Sequence, residues 1–229
     1  STRRRLHFAS KVFLRNDTDG IALVDNIFQY SEKIQRRHKA MFSDNNGSTS
    51  VAFFFATNQS DKDVKDILRV LDKNFDIVIG NDNTSLCNSC NIDEKESANV
   101  LKNSDDVTAS LLIGTFSNKC SLLTFSSKEH GMPPECLQLF SDRLKIDKEH
   151  HENSLNMLLF STPSFDMSTV LGPINGLMPE ASKTGSISYN RVFLGSNIYY
   201  DGFAGLSIQG NVAMDVVTTQ PYENVFQFE

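Results

Sequence analysis

The chain has 229 residues, 39% of them hydrophobic and 22% charged, an ordinary globular balance with length enough for one large core or two fused halves. No apolar run approaches the roughly 20 residues that a membrane-spanning helix needs, so no transmembrane segment is expected. The net charge of −6 is uneven: Arg3, Arg4, Arg5, Lys11 and Arg15 face no acid within residues 1–15, which leaves 17 basic against 28 acidic groups in 16–229. So acidic a body lacks the clustered Lys and Arg of a phosphate-binding surface, and no nucleic-acid partner is expected.

Residues 1–16 read as a basic leader or arm. An Arg-rich, acid-free start resembles a mitochondrial transit peptide or the stub left by its removal, and the absence of an initiator Met fits a processed product. A matrix location is therefore expected, with the cytoplasm as the alternative. The four cysteines, Cys87, Cys90, Cys120 and Cys136, are fewer than a secreted disulfide scaffold of this size would carry, and reduced intracellular thiols are the simpler reading. Four matches to the N-glycosylation pattern, at Asn16, Asn46, Asn58 and Asn83, carry little weight in such a compartment.

In chain order, residues 6–15 fit either a short strand or the amphipathic tail of a leader. Asp17-Thr18-Asp19-Gly20 signals a helix start, and Ile21, Val24, Ile27, Phe28 and Ile34 keep helical spacing to about Ala40. After a loop over residues 43–49, Val51 to Ala56 forms an apolar strand buried on both faces. Ser60 is a natural N-cap, Asp61 and Asp63 suit the first turn, and Val64, Ile67, Leu68 and Leu71 form the stripe of the following helix. Phe75 to Gly80 is the next strand. Residues 81–106 read as a long polar loop, the kind that is either functional or disordered. Thr108 to Phe116 and Lys119 to Phe125 read as a hairpin about Ser117-Asn118. Pro133-Pro134 opens a further helix, and residues 147–154 form a charged linker.

The second half starts with a buried strand, Leu155 to Phe160, followed by a helical pattern through Met167, Val170, Leu171, Ile174 and Leu177. Further strands follow, split by Gly185, Asn190, Gly195, Gly202 and Gly210. The clearest pair is Phe203–Gln209 and Val212–Thr218, joined at Gly210-Asn211 as a two-residue hairpin. The order β-α-β-β-β can thus be read twice, over about 51–127 and 155–218, with Phe54-Phe55-Ala56-Thr57 matching Leu159-Phe160-Ser161-Thr162. The fold class expected is α/β (α+β), with two pseudo-repeated halves in a four-layered sandwich of sheets and helices, or in one continuous mixed sheet with helices on it. Residues 17–229 would form a single domain.

Few motifs carry chemistry. Cys87-Asn88-Ser89-Cys90 has the spacing of half a zinc site or of a redox pair, but no second pair or His completes the first, and no helix start follows a strand as the second requires. Metal, redox and plain loop readings stay open. Glu149-His150-His151-Glu152 places neighbouring side chains in different directions, so a solvated linker is the better reading. Ser1 and Thr2 do not begin a strand, as the nucleophile of an N-terminal nucleophile hydrolase would. No nucleophile elbow, phosphate loop or dinucleotide fingerprint occurs, and no cofactor is expected. Gly80, Asn81, Thr84 and Ser85 follow a buried strand, and Gly172, Asn175 and Gly176 lie in the matching region of the second half. Small residues and amides at strand ends can cradle a small polar ligand, and these seven are the candidate ligand-binding residues.

The run Tyr200-Asp201-Gly202-Phe203-Ala204-Gly205-Leu206-Ser207-Ile208-Gln209-Gly210-Asn211-Val212 resembles the closing hairpin of the FIST N-terminal domain family. The strand Val51 to Ala56, the helix after it and Ile77-Val78-Ile79-Gly80 fall in the family's order, so the resemblance covers about residues 50–218. The chain departs from the family after Gly80, where Asn81-Asp82-Asn83-Thr84 replaces the usual Gly-Cys-Ser pattern, and at Gln220-Pro221-Tyr222-Glu223. The FIST C-terminal domain is not visible. What the resemblance implies is a non-catalytic intracellular signal-transduction module that binds a small polar, amino-acid-like metabolite, with a protein partner in some cases. An assembly subunit that kept the fold and lost the ligand is the alternative, and a small-molecule enzyme the third.

Overall fold

The computed structural model describes residues 7–14, 20–41, 48–57, 59–83, 107–127 and 154–210. Their strands fall into two mixed sheets. The six-stranded sheet A runs β1 (His7–Leu14), β4 (Val107–Phe116), β2 (Thr49–Ala56), β3 (Ile77–Asp82), β8 (Val192–Leu194), β9 (Asn197–Tyr199). The four-stranded sheet B runs β5 (Ser121–Ser126), β10 (Phe203–Gly210), β6 (Ser154–Ser161), β7 (Ser182–Ile187). Three helices complete the described fold: α1 (Gly20–Met41), α2 (Asp61–Asn74) and α3 (Ser168–Leu177).

Side-chain alternation sorts the strands into layers. On β2, Ala52, Phe54 and Ala56 pack under the helices with Leu23 and Ile27 of α1 and Val64, Ile67, Leu68 and Leu71 of α2. The other face of β2, Val51, Phe53 and Phe55, meets Leu158 and Phe160 of β6 and Ala204, Leu206 and Ile208 of β10. Phe55 and Phe160 touch across this interface, ring centroids 6.0 Å apart. The outer face of sheet B, with Met157, Leu159 and Phe203, is covered by Val170 and Ile174 of α3. The result is an α+β sandwich of four layers: α1 and α2, sheet A, sheet B, α3.

Each half contains a parallel β-α-β unit. β2 and β3 are parallel, with Phe54 opposite Gly80, and β6 and β7 are parallel, with Leu159 opposite Gly185. Both glycines are required by a close approach, since a Cβ on Gly80 would lie 1.8 Å from the Phe54 carbonyl oxygen and one on Gly185 1.6 Å from that of Leu159. β2 and β6 are interior strands of their sheets, as the doubly apolar runs imply.

The halves do not close separately. β4 and β5 follow one another through Ser117-Asn118 but are not a hairpin: β4 pairs with β1 and β2 in sheet A, and β5 pairs with β10 in sheet B. β8 and β9, from the second half, extend sheet A beside β3. Among the described residues the second half therefore runs β-α-β-β-β-β, with β7, β8 and β9 where the sequence suggests one strand between the helix and Phe203. Gly185 lies inside β7 rather than in a turn.

Other local readings differ in detail. Residues 7–14, inside the segment read as a leader, form β1, paired antiparallel with β4 along its whole length. The buried stripe of α1 is Leu23, Ile27 and Ile34, while Phe28 is 40% exposed. α2 starts as its sequence specifies, with the Ser60 side chain accepting the Asp63 N–H at 3.2 Å. The segments holding Cys87, Cys90, Cys136, Pro133-Pro134, Glu149 to Glu152 and Asn211 to Thr218 lie outside the described residues.

Candidate functional site

In both parallel pairs the strands end on the same side of the sandwich, and there the apolar rows give way to polar side chains. Open α/β sheets place ligands at the carboxyl ends of parallel strands. Two polar groups form there, one on each face of sheet A.

The first lies on the α2 face. Asp82 ends β3 in the row of Val78 and Gly80, and Arg191 precedes β8 in the row of Phe193. Arg191 Nε donates to Asp82 Oδ2 at 2.9 Å, Nη1 to Asp61 Oδ1 at 2.6 Å and Nη2 to the Gln59 carbonyl at 3.0 Å. Asp82 Oδ1 accepts the backbone N–H groups of Asn190 (2.9 Å) and Arg191 (2.8 Å), and its carbonyl accepts that of Tyr189 (3.0 Å). The Tyr200 hydroxyl donates to Asp61 Oδ2. That hydrogen bond, with help from Arg191, holds the Asp61 carboxyl below its ordinary range, and the same bond together with burial pushes the Tyr200 hydroxyl up. Every nitrogen of the guanidinium makes a hydrogen bond and both oxygens of Asp82 accept one, so this group is a structural staple for the crossover from β7 to β8.

The second group faces sheet B. Asn81 continues the row of Ile77 and Ile79 into the space between the sheets, fully buried, and its Nδ2 donates to Ser186 Oγ of β7 at 2.9 Å. Its Oδ1 has no partner among the described residues. Thr57, after β2 on the row of Phe53 and Phe55, and Ser188, after β7 on the row of Ser186, are both buried, and their hydroxyls also lack partners among the described residues. The Ser188 N–H extends the β6–β7 ladder to the Ser161 carbonyl at 2.7 Å. Buried polar atoms are paired in nine cases of ten or more, so these three unpaired atoms mark this end of the sandwich as the candidate site.

Of the residues named from sequence, Gly80 and Asn81 belong to β3 itself rather than to a loop after it, and only Asn81 reaches the inter-sheet space. Gly80 is the close-approach glycine against Phe54. Gly172, Asn175 and Gly176 are exposed on α3, on the far side of sheet B, so the structure does not bring them to Asn81. Thr84 and Ser85 lie outside the described residues. Thr57 and Ser188 were not singled out, although each is a small polar residue directly after an apolar or alternating strand. Among the described residues, no three His, Cys, Asp or Glu side chains gather as a metal site requires. No described helix is long and apolar enough to cross a membrane. A scan of protein-family models finds none that matches this chain, and a search of curated proteins finds no match either.

Proposed function

We propose that the chain is a non-catalytic small-ligand-binding module whose site lies between the sheets at the ends of β2, β3 and β7. The observation that carries this reading is the Asn81 side chain, fully buried with a carbonyl unpartnered among the described residues, and two further buried hydroxyls in the same condition just after β2 and β7. Such groups cost stability in the empty protein and gain it when a guest completes their hydrogen bonds. The staple on the other face supports the same reading, because the Asp82 carboxylate and the Arg191 guanidinium are buried and bonded to each other and to the backbone. A FIST-like signalling role is the broader form of this proposal, and the run 201–212 supports it. The reading also takes the two β-α-β units as a duplicated pair, supported by the equivalent close approaches at Gly80 and Gly185.

An assembly subunit with a protein partner is the second reading, favoured by Ile187 and Tyr189, about two thirds exposed on either side of Ser188. The proposed mitochondrial location rests on the arginines ahead of His7, since residues 7–14 form a strand that cleavage would remove from sheet A.

Thermal-shift screening of the whole chain against a metabolite collection tests the binding reading. A stabiliser is expected whose effect disappears when Thr57→Val and Ser188→Ala are combined. A collection in which nothing stabilises the protein moves the conclusion to the assembly subunit.

A further inference from the structure

Side chains at the strand ends are sorted by charge. On β3 the last two residues point to opposite faces: Asn81 between the sheets, Asp82 toward α2. Arg191 and Asp61 join Asp82 on the α2 side. What lines the inter-sheet end among the described residues is neutral: Thr57, Asn81, Thr162, Ser186 and Ser188, above the rings of Phe55 and Phe160.

From this segregation we infer that the inter-sheet site takes an uncharged hydrogen-bonding ligand, of the carboxamide or polyol class, and rejects carboxylates and zwitterionic amino acids. The inference rests on the binding reading above and narrows its amino-acid-like ligand. A charged guest entering between the sheets loses its hydration, and no described side chain on that face returns an opposite charge. The Arg191 guanidinium cannot serve, because the backbone of sheet A stands between and all three of its nitrogens are bonded. A neutral guest has only to complete the open valences. Asn81 Oδ1 accepts one donor, and the Thr57 and Ser188 hydroxyls each donate or accept. Exchanging the oxygen and nitrogen of the Asn81 amide turns an acceptor into donors and leaves the site uncharged. Thr162 lends nothing more, since its hydroxyl is already held by the Gly202 backbone and Ser164. The aromatic floor suits a compact guest with an apolar side.

The test is an NMR titration of the whole chain with three small probes: acetamide, acetate and glycine. The signals read are the Asn81 side-chain amide and the Ser188 backbone amide. Acetamide is expected to shift both saturably, with acetate and glycine at least about tenfold weaker. In the Thr57→Val/Ser188→Ala double variant the acetamide response should weaken by about tenfold with the remaining spectrum preserved. Acetate or glycine binding as tightly as acetamide overturns the ligand class and leaves the site standing. No saturable response to any probe, with an ordered water alone completing the three groups, overturns the binding reading as well.

Discussion

Arg191 Nε and Asp82 Oδ2 lie 2.9 Å apart, with both side chains more than nine-tenths buried and the two residues 109 positions apart in sequence. The pair fastens the segment that carries the chain from sheet B to sheet A, because Asp82 also holds the amides of Tyr189, Asn190 and Arg191. Asp82→Ala leaves the Arg191 Nε–H and two amides without their acceptor while Asp61 still pairs with Nη1, and urea unfolding should show a loss of about 3 kcal/mol. Asp82→Asn keeps an acceptor for the amides and should lose less. Combining Asp82→Leu with Arg191→Met should recover part of the loss, since no buried charge is left, but not the share owed to the Asn190 and Arg191 amides.

Tyr200 and Asp61 tie this group to pH. The folded protein holds the Asp61 pKa below its unfolded value, so the stabilisation is present above about pH 4 and fades as pH falls through the lower, folded value. The Tyr200 pKa is raised, so its share is present below about pH 10 and fades as pH rises through the folded value. Melting temperatures of wild type and Tyr200→Phe, followed from acid to alkaline pH, should therefore differ most near neutrality and converge at both extremes. A difference that stays constant with pH would remove the hydrogen bond from the account.

The glycines separate cleanly. Gly80→Ala and Gly185→Ala drive a methyl group into a neighbouring carbonyl that belongs to an interior strand and cannot retreat. Both variants should fail to give a cooperative melt. Gly176→Ala meets nothing within 4 Å on an exposed helical surface and should raise stability by about 0.5 kcal/mol.

Removing an orphaned polar atom should not harm the empty protein. Thr57→Val and Ser188→Ala delete hydroxyls that make no hydrogen bond, so each should leave apo stability unchanged or raise it by about 1 kcal/mol. Asn81→Ala behaves differently, since it also strips Ser186 of a donor and opens a cavity in a fully buried position; a loss of about 1–3 kcal/mol is expected. Calorimetry of the three variants without ligand distinguishes these outcomes.

Local order was legible where one segment decides it. The Ser60 cap, the stripe of α2 and the doubly apolar runs of β2 and β6 all follow from spacing and composition, and so does the α+β class, while the choice between four layers and one continuous sheet does not. Partnership between distant segments was not legible. Ser117-Asn118 marks a reversal after Phe116, but nothing in those residues tells whether the next strand rejoins its own sheet or crosses to the other. The site suffered in the same way. Asn81 could be named as a polar residue at a strand end, yet its face depends on where β3 stops, and reading a loop from residue 81 hid the alternation that sends Asn81 and Asp82 in opposite directions. Gly172 and Asn175 occupy the matching stretch of the second half, but α3 holds them outside sheet B. Thr57 and Ser188 gain meaning only when two sheets close over them.

The most direct measurement is the position of a bound stabiliser in a crystal structure of the whole chain, taking the strongest compound from the thermal-shift screen. Its density is expected between the sheets, with polar atoms within hydrogen-bonding distance of Asn81 Oδ1 and of the Thr57 or Ser188 hydroxyl. Density over Gly172 and Asn175 on α3, with the inter-sheet end unchanged, would contradict it.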